Sequence, residues 1–245
     1  MSCDPRTYDK YLKPRSETMV TKSDSPDVYT PPLHWRPMPG LNQQAPAFDA
    51  NTTHGRRSLA DYEGKWLVLF SHPADFTPVC TTEFIAFARN HAKFAALNCE
   101  LLGLSIDSNY AHIAWVRNIE EKFGVEIPFP IIEDLSMAVA SAYGMIQPGA
   151  SDTSAVRATF IIDPIGILRA MAYYPMTNGR CVDEFVRLVT ALQTSDTHKV
   201  ATPENWHPGE AVIVPPPATT AEAKARMTQG LDTTDWYFSK PDYAP

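Results

Sequence analysis

Cysteine is scarce in this chain: four occur in 245 residues, at positions 3, 80, 99 and 181, and no two of them form a Cys-X-X-Cys pair. A small secreted domain built on disulfides contains far more cysteine, and a structural zinc site shows close cysteine or histidine pairs. The seven histidines are scattered as well. The sequence therefore predicts free thiols in a reducing compartment, the cytoplasm, with no metal and no cofactor.

Positively charged residues are fewer than negatively charged ones: the chain has 21 lysines and arginines and 28 acidic residues, so its formal net charge is −7. Binding to nucleic acid or to an anionic membrane needs a basic surface, so neither partner is expected. No stretch approaches the roughly 20 consecutive apolar residues of a membrane helix. The opening residues, MSCDPRTYDKYLKPRSE, lack the apolar centre of a secretory signal.

The 22 prolines divide the chain into three parts. Eight lie in residues 1–46, seven in residues 200–245, and the other seven are spread over the 153 residues between. Because proline removes a backbone donor and fixes φ, the two ends are predicted to be extended arms without regular helix or sheet. We expect an N-terminal extension of unknown role over 1–40, a folded domain over 41–199 and a smaller C-terminal arm over 200–245.

Apolar runs and helical patterns alternate in the middle of the chain. Two predicted helices carry apolar residues at helical spacing, one of them Phe84, Phe87, Ala88, His91, Phe94 and Ala95, the other Ile113, Trp115, Val116 and Ile119. The predicted strands are Trp66–Ser71, Leu101–Ile106, Pro130–Ile132, 156–162 and 167–174, and the helices are 78–97, 108–123, a short one ending near Gly144, and 182–194. The last two strands flank a turn at Asp163–Gly166 and predict a hairpin. This order predicts an α/β fold, a mixed sheet flanked by helices, compatible with a thioredoxin-like core.

The junction between the first of these strands and the first long helix contains Cys80. Thr77 followed by Pro78 is a strong signal for the start of a helix, with the hydroxyl as the predicted cap. Cys80 then falls in the first turn, where unpaired N–H groups and the helix dipole favour a thiolate, the nucleophilic form. Cys99 and Cys3 are predicted to be packing or surface thiols. Cys181 stays open as a reactive or pairing thiol.

Several segments resemble one family in order and sequence. The pattern Pro73-(X)₃-Thr77-(X)₂-Cys80, within FSHPADFTPVCTTEF, is similar to the active-site signature of the peroxiredoxins, in the branch that includes the single-cysteine (1-Cys) members. Further blocks that resemble the family are LLGLSIDS, PFPIIED, VRATFIIDP, YYPMTNGRCVDE, ATPENWHPGE and VIVPPP. The resemblance covers roughly residues 41–227. It implies a thioredoxin-like fold followed by a smaller, extended C-terminal peroxiredoxin domain.

The resemblance implies a thiol-dependent peroxidase that reduces hydrogen peroxide and organic hydroperoxides. Cys80 would be the nucleophile that becomes a sulfenic acid, with Thr77 donating a hydrogen bond to the peroxide and Arg157 holding the thiolate and polarising the peroxide. In support, Pro73 would shield the sulfur from water, and Glu83 and Arg180 would orient Arg157. His72, just before the signature proline, is expected to line the pocket without a catalytic role, the alternative being a hydrogen-bonded histidine at the end of the strand.

Some relatives of this branch carry paired cysteines near the C-terminus, but the corresponding stretch 231–239, LDTTDWYFS, has none. We therefore expect a 1-Cys mechanism in which an external thiol reduces Cys80. The sequence leaves the reductant open between glutathione, a thioredoxin-type protein and other reductants. The proline-rich and aromatic C-terminal arm predicts a homo-oligomer, a dimer or a larger ring.

Two other readings compete with a peroxidase. A thiol–disulfide oxidoreductase is disfavoured because that chemistry uses two neighbouring cysteines and Cys80 has none nearby in sequence. A peroxide sensor or holdase-type chaperone would use the same cysteine without rapid turnover, and the sequence does not exclude it.

Overall fold

The apolar run at Trp66–Ser71 forms a completely buried strand inside a seven-stranded sheet. The computed structural model describes residues 38–147 and 154–241. The strands of this sheet are β1 (Asp49–Thr52), β2 (Gly55–Ser58), β3 (Trp66–Ser71), β4 (Cys99–Ser105), β5 (Ile131–Glu133), β6 (Arg157–Ile162) and β7 (Leu168–Tyr174). Their order is β2-β1-β5-β4-β3-β6-β7.

The sheet is mixed, as predicted. β3 pairs in parallel with β4, and β4 with β5, whereas β6 runs antiparallel to both β3 and β7. The predicted hairpin around Asp163–Gly166 is the β6–β7 pair. The β1–β2 hairpin at the other edge was not predicted, because its residues are largely polar and exposed and form no apolar run.

Helices cover both faces of the sheet, which confirms the predicted α/β architecture. The helices of this part are α1 (Pro78–Ala96), α2 (Asn109–Phe123), α3 (Ala138–Ala142) and α4 (Val182–His198). Successive residues of β3 point to opposite faces: Val68 and Phe70 pack under α1, α2 and α4, and Leu67 and Leu69 pack under α3. No helix within the described residues has both the length and the apolarity to cross a bilayer.

Local signals set the two ends of α2. The side chain of Ser108 accepts a hydrogen bond from Ala111 N at the start of α2, and Gly124, at φ +66°, ends that helix. Two predicted core positions are wrong: Ala95 is exposed, and Ile113 is 40% exposed. The buried face of α2 is carried instead by His112, Trp115 and Ile119.

The C-terminal arm contains regular structure, contrary to the prediction from its prolines. Helix α5 spans Thr220–Arg226, and strands β8 (Asp232–Asp235) and β9 (Phe238–Lys240) form a separate two-stranded sheet. Pro203, Pro208 and the prolines at 215–217 lie before α5, and Pro241 follows β9, so none of them lies within an element. A capping box between Thr219 and Glu222 starts α5. The arm is attached to α4 by a small cluster consisting of Ala191, Val200, Trp206 and Val212. The N-terminal extension lies outside the described residues up to position 37.

Candidate active site

The loop His72–Thr77 connects β3 to α1 and delivers Cys80 to the first turn of the helix. Thr77 is extended (φ −105°, ψ 147°) and Pro78 is the first helical residue, as the sequence predicted. The hydroxyl of Thr77 does not cap the helix, however. It donates to the carbonyl of Ala74 at 2.9 Å, which orients it within the loop.

The sulfur of Cys80 lies against a fixed guanidinium. Arg157 Nη1 is 3.2 Å from Cys80 Sγ, and Cys80 has no exposed surface. Arg157 is the first residue of β6, so a strand positions it rather than a loop. Its Nε and Nη2 both donate to the carbonyl of Met176, at 3.1 and 2.9 Å, and fix the plane of the guanidinium.

Glu83 links this arginine to a second one. Its Oε2 accepts from Arg157 Nη1 and from Arg180 Nη2, both at 2.8 Å, and its Oε1 accepts from Arg180. Glu83 lies one helical turn after Cys80, and all three side chains of this ion-pair network are almost completely buried. The network therefore brings together Cys80, Glu83, Arg157 and Arg180.

The carboxyl of Glu83 is held in its charged form. Burial alone would raise the pKa of Glu83, but the hydrogen bonds and charge of Arg180, together with the charge of Arg157, outweigh burial and lower it. Arg180 also lies over the rings of Phe70 and Phe87, with its guanidinium carbon 5.3 and 5.7 Å from their centroids. Sequence pattern alone does not single out Arg157 or Arg180 among the arginines.

Of the remaining predicted residues, Pro73 is buried and Thr77 half-buried in the loop. The side chain of His72 is completely buried, and its Nε2 lies 2.8 Å from Asp75 Oδ1. This bond fits the alternative, a hydrogen-bonded histidine after β3, and a position of His72 in the pocket stays a prediction. The ring lies beside Phe84 and Trp115, at 4.8 and 5.1 Å between centroids.

Asp75 and His112 complete a buried group that sequence reasoning missed. His112 Nδ1 is 2.8 Å from Asp75 Oδ2, and His112 Nε2 is 3.1 Å from the carbonyl of Ile132. One nitrogen or oxygen from each of His72, Asp75 and His112 lies within 4.8 Å of the others. These residue types also bind metals, but the carboxylate here bridges the two histidines by hydrogen bonds. The only sequence signal was His112 three residues before Trp115 on a buried face.

The other described cysteines, Cys99 and Cys181, are also free thiols. Cys99 is buried in β4, and burial, with the neighbouring Glu100 charge, raises its pKa to about 12. Cys181 is exposed and directly precedes α4. Cys3 lies outside the described residues.

Comparison with known proteins agrees with this geometry. Residues 41–171 match the AhpC/TSA family, and residues 191–230 match the C-terminal domain of 1-Cys peroxiredoxin. A peroxiredoxin of Aquifex aeolicus is 56% identical over 214 residues, which cover 83% of this chain and 96% of the relative.

Two solved structures are similar to the whole described fold. The yeast mitochondrial 1-Cys peroxiredoxin has a TM-score of 0.74 and 41% identity, covering 83% of this chain and 99% of the yeast chain. The peroxiredoxin 6 of Arenicola marina, a cysteine-to-serine mutant, has a TM-score of 0.73 and 33% identity, covering 84% and 98%. The chain therefore belongs to the AhpC/TSA, or peroxiredoxin, family of thiol-dependent peroxidases, and it carries the C-terminal domain of the 1-Cys peroxiredoxins.

Proposed function

We propose that this chain reduces hydrogen peroxide and organic hydroperoxides through Cys80 alone, with an external thiol restoring the cysteine in each cycle. The observation that carries the proposal is the 3.2 Å contact between Arg157 Nη1 and Cys80 Sγ inside a buried site. A guanidinium donating to sulfur favours the thiolate over the thiol.

The charges of the buried network point the same way. Arg157 and Arg180 are two cations, and among the described residues Glu83 is the carboxylate that bonds both of them. With a neutral thiol this group carries a net charge of +1, and with a thiolate at Cys80 it carries none. Because an uncompensated charge is costly away from water, charge balance favours the thiolate.

The first half-reaction is a displacement at oxygen. The thiolate attacks one oxygen of the hydroperoxide, the O–O bond breaks, and an S–O bond forms. The departing oxygen takes a proton and leaves as water or an alcohol, so Cys80 is oxidised to a sulfenic acid. Arg157 stabilises the charge that moves across the peroxide, the Thr77 hydroxyl turns from the Ala74 carbonyl to donate to the peroxide, and Pro73 excludes water.

In the second half-reaction an external thiol attacks the sulfenic sulfur, and water leaves. A second thiol then attacks the mixed disulfide and releases Cys80. The sum is one hydroperoxide and two thiols converted to water or alcohol, water and one disulfide. The structurally similar yeast 1-Cys peroxiredoxin is resolved through the glutathione and thioredoxin systems. We take a thiol of the glutathione or thioredoxin type as the reductant here.

The position of Cys99 supports a single-cysteine cycle. Cys99 pairs with Trp66, where β3 begins, whereas Cys80 follows the end of β3. Six strand residues span about 20 Å, far beyond the distance over which two cysteines form a disulfide within one chain. Cys181 is exposed, so a disulfide to it is the outcome that a test must distinguish.

We further propose that residues 200–245 form an arm for assembly into a dimer or larger ring, following a peroxidase domain over 41–199. Trp236, Tyr237 and Phe238 at the β8–β9 turn are substantially exposed, and an interface would cover them. A free catalytic thiol fits a reducing compartment, for which we propose the cytoplasm.

Rapid mixing of the reduced protein with hydrogen peroxide tests the function. Trp115 is the reporter, because its Nε1 donates to Thr81 Oγ1, next to Cys80. We expect a fast, stoichiometric fluorescence change that is absent from Cys80→Ser, and one trapped sulfenic acid at Cys80 by intact mass. A disulfide between Cys80 and Cys181 would contradict the 1-Cys cycle but not the peroxidase function. Oxidation at the rate of free cysteine would overturn the peroxidase and favour a sensor or chaperone role.

A further inference from the structure

The burial of Cys80 sets a problem of access for the second half-reaction. Its side chain has no exposed surface, and Pro73 in the loop before α1 is also buried. Zero exposed surface means that not even a water-sized atom contacts the sulfur, so a hydroperoxide oxygen, about the size of a water molecule, needs a small local movement. A reducing thiol brings a larger sulfur on a carbon chain. The loop His72–Thr77 and the first turn of α1 must therefore move further before a thiol can reach the oxidised sulfur.

Helix α2 holds this loop and this turn at two points. His112 bonds Asp75 in the loop at 2.8 Å, and Trp115, one turn later, donates to Thr81 in α1 at 3.3 Å. The backbone N–H of Asp75 also donates to Asp107 Oδ2, at 3.0 Å. The bond between Asp75 and His112 joins residues 37 positions apart, so it ties the catalytic loop to a separate element.

The bond between His112 and Asp75 is buried and ends on a carboxylate. Both ring nitrogens of His112 lie within hydrogen-bond distance of an oxygen, one of the Asp75 carboxylate and one of the Ile132 carbonyl. Burial alone would raise the pKa of Asp75, but the hydrogen bonds from His112 and His72 outweigh it and keep the carboxyl ionised. Charge-assisted bonds of this kind are stronger than neutral ones.

The loop itself does not favour the conformation that this pair holds. Phe76, next to Asp75, has φ +55° and a side chain that is 57% exposed. An aromatic residue in the left-handed region is disfavoured, so the surrounding contacts must impose the conformation. Release of Asp75 would let Phe76 relax.

We propose that Asp75 and His112 are positioning residues which hold the loop closed over Cys80, and that breaking their bond opens the site to the thiol reductant. This inference rests on the proposed peroxidase function, since the opening serves its second half-reaction. Neither residue touches the reacting atoms; both act through the loop that carries Pro73 and Thr77.

Two substitutions of the same residue separate the two bonds of His112. An asparagine amide occupies the place of Nδ1 and can still donate to Asp75, whereas a glutamine amide occupies the place of Nε2 and reaches Ile132 instead. His112→Gln should therefore release the loop, and His112→Asn should keep it. Tyr143→Phe, which removes a partly buried hydrogen bond to Pro46 on the other face of the sheet, is the matched control.

Hydrogen exchange of the reduced protein, followed by mass spectrometry, measures how readily the loop opens, and it does not depend on the reaction with peroxide. In His112→Gln we expect peptides covering residues 73–82 to exchange about tenfold faster, the effect of one lost charge-assisted bond. In His112→Asn and Tyr143→Phe they should match wild type. Equal exchange in all four proteins, or equal acceleration in both His112 variants, would overturn the proposal.

The half-reactions give the functional readout. Reduction of the oxidised enzyme by glutathione should be about tenfold faster in His112→Gln, while oxidation by hydrogen peroxide is no faster. If wild type is not oxidised rapidly by peroxide, the proposed peroxidase function is wrong. The exchange experiment still shows whether the bond between Asp75 and His112 holds the loop closed. If His112→Gln does not fold, wild-type exchange decides: residues 73–82 must open more easily than β3, and opening only with global unfolding contradicts the proposal.

Discussion

Arg180 holds the carboxylate of Glu83 through three hydrogen bonds, from its backbone N–H and Nε to Oε1 and from its Nη2 to Oε2, all between 2.8 and 2.9 Å. Both residues are buried, and Glu83 Oε2 also accepts from Arg157. Arg180 thus acts on Cys80 through Glu83 and Arg157 rather than by contact. These contacts give each arginine a separate role: Arg157 contacts the sulfur, and Arg180 holds Glu83, which in turn bonds Arg157.

We predict that Glu83→Gln lowers the free energy of unfolding by about 3–5 kcal/mol at pH 7, because it leaves two buried guanidinium groups without their carboxylate. The native pKa of Glu83 is lowered, so its contribution is fully present above the ordinary value of 4.5 and is lost as pH falls through the native value. The difference between wild type and variant should therefore shrink in acid.

Urea unfolding at pH 7 and at several values below the ordinary glutamate pKa measures this. Glu184→Gln is the control, since Glu184 pairs with Arg187 at the surface and exposed pairs contribute little. A difference between wild type and Glu83→Gln that stays constant as the pH falls would contradict the assignment of the charge.

Arg157→Lys should reduce the second-order rate constant for oxidation by hydrogen peroxide by about a hundredfold or more. A lysine keeps the charge, but its single ammonium group cannot bond the Met176 carbonyl twice and reach the sulfur as well. Stopped-flow fluorescence gives the rate, with Arg169→Lys on β7 as the control. An unchanged rate in Arg157→Lys would show that the fork geometry is not required.

Thr77→Val and Thr77→Ser test the hydroxyl in the loop. Valine has nearly the shape of threonine without the donor, so oxidation by peroxide should slow by about a hundredfold, whereas serine keeps the donor and should stay near wild type. The same rapid-mixing assay measures both. Parallel losses in the two variants would assign the effect to packing of the methyl group instead.

The thiols outside the site should differ sharply in reactivity. Cys181 is exposed and should react with a disulfide reagent in the native protein, while Cys99, buried and with its pKa raised to about 12, should react only after unfolding. Peptide mapping identifies the labelled residue. Cys99→Ser and Cys181→Ser should each keep full turnover with an external thiol, and loss of turnover in either would place that residue in the cycle.

Local patterns in the sequence predicted the central elements well. The apolar run of β3, the Thr77-Pro78 start of α1 and the position of Cys80 in its first turn depend on neighbouring residues, which the sequence displays directly. The capping box at Thr219 and Glu222 is a similar local signal for α5. The prediction of an arm without regular structure is wrong because the prolines restrict only the segments in which they lie.

Local patterns do not predict contacts between residues that are far apart in the sequence. Asp75 and His112 are 37 positions apart, and Arg157 is 77 positions from Cys80. No periodicity marks such pairs, because they are created by the packing of α2 on the loop and of β6 beside β3. The family resemblance implies the role of Arg157, whereas Asp75 and His112 form no sequence motif with each other.

Arg157 sits in β6, bonded between β3 and β7, while Cys80 sits on a helix turn that must move. The cation therefore stays in place when the sulfur departs. By thermodynamic linkage, if the closed site favours the thiolate more than the open site does, loss of the proton favours closure by the same difference in free energy. Loss of the proton and return of the helix turn are then one coupled equilibrium, and Cys80 is activated only where peroxide meets Arg157.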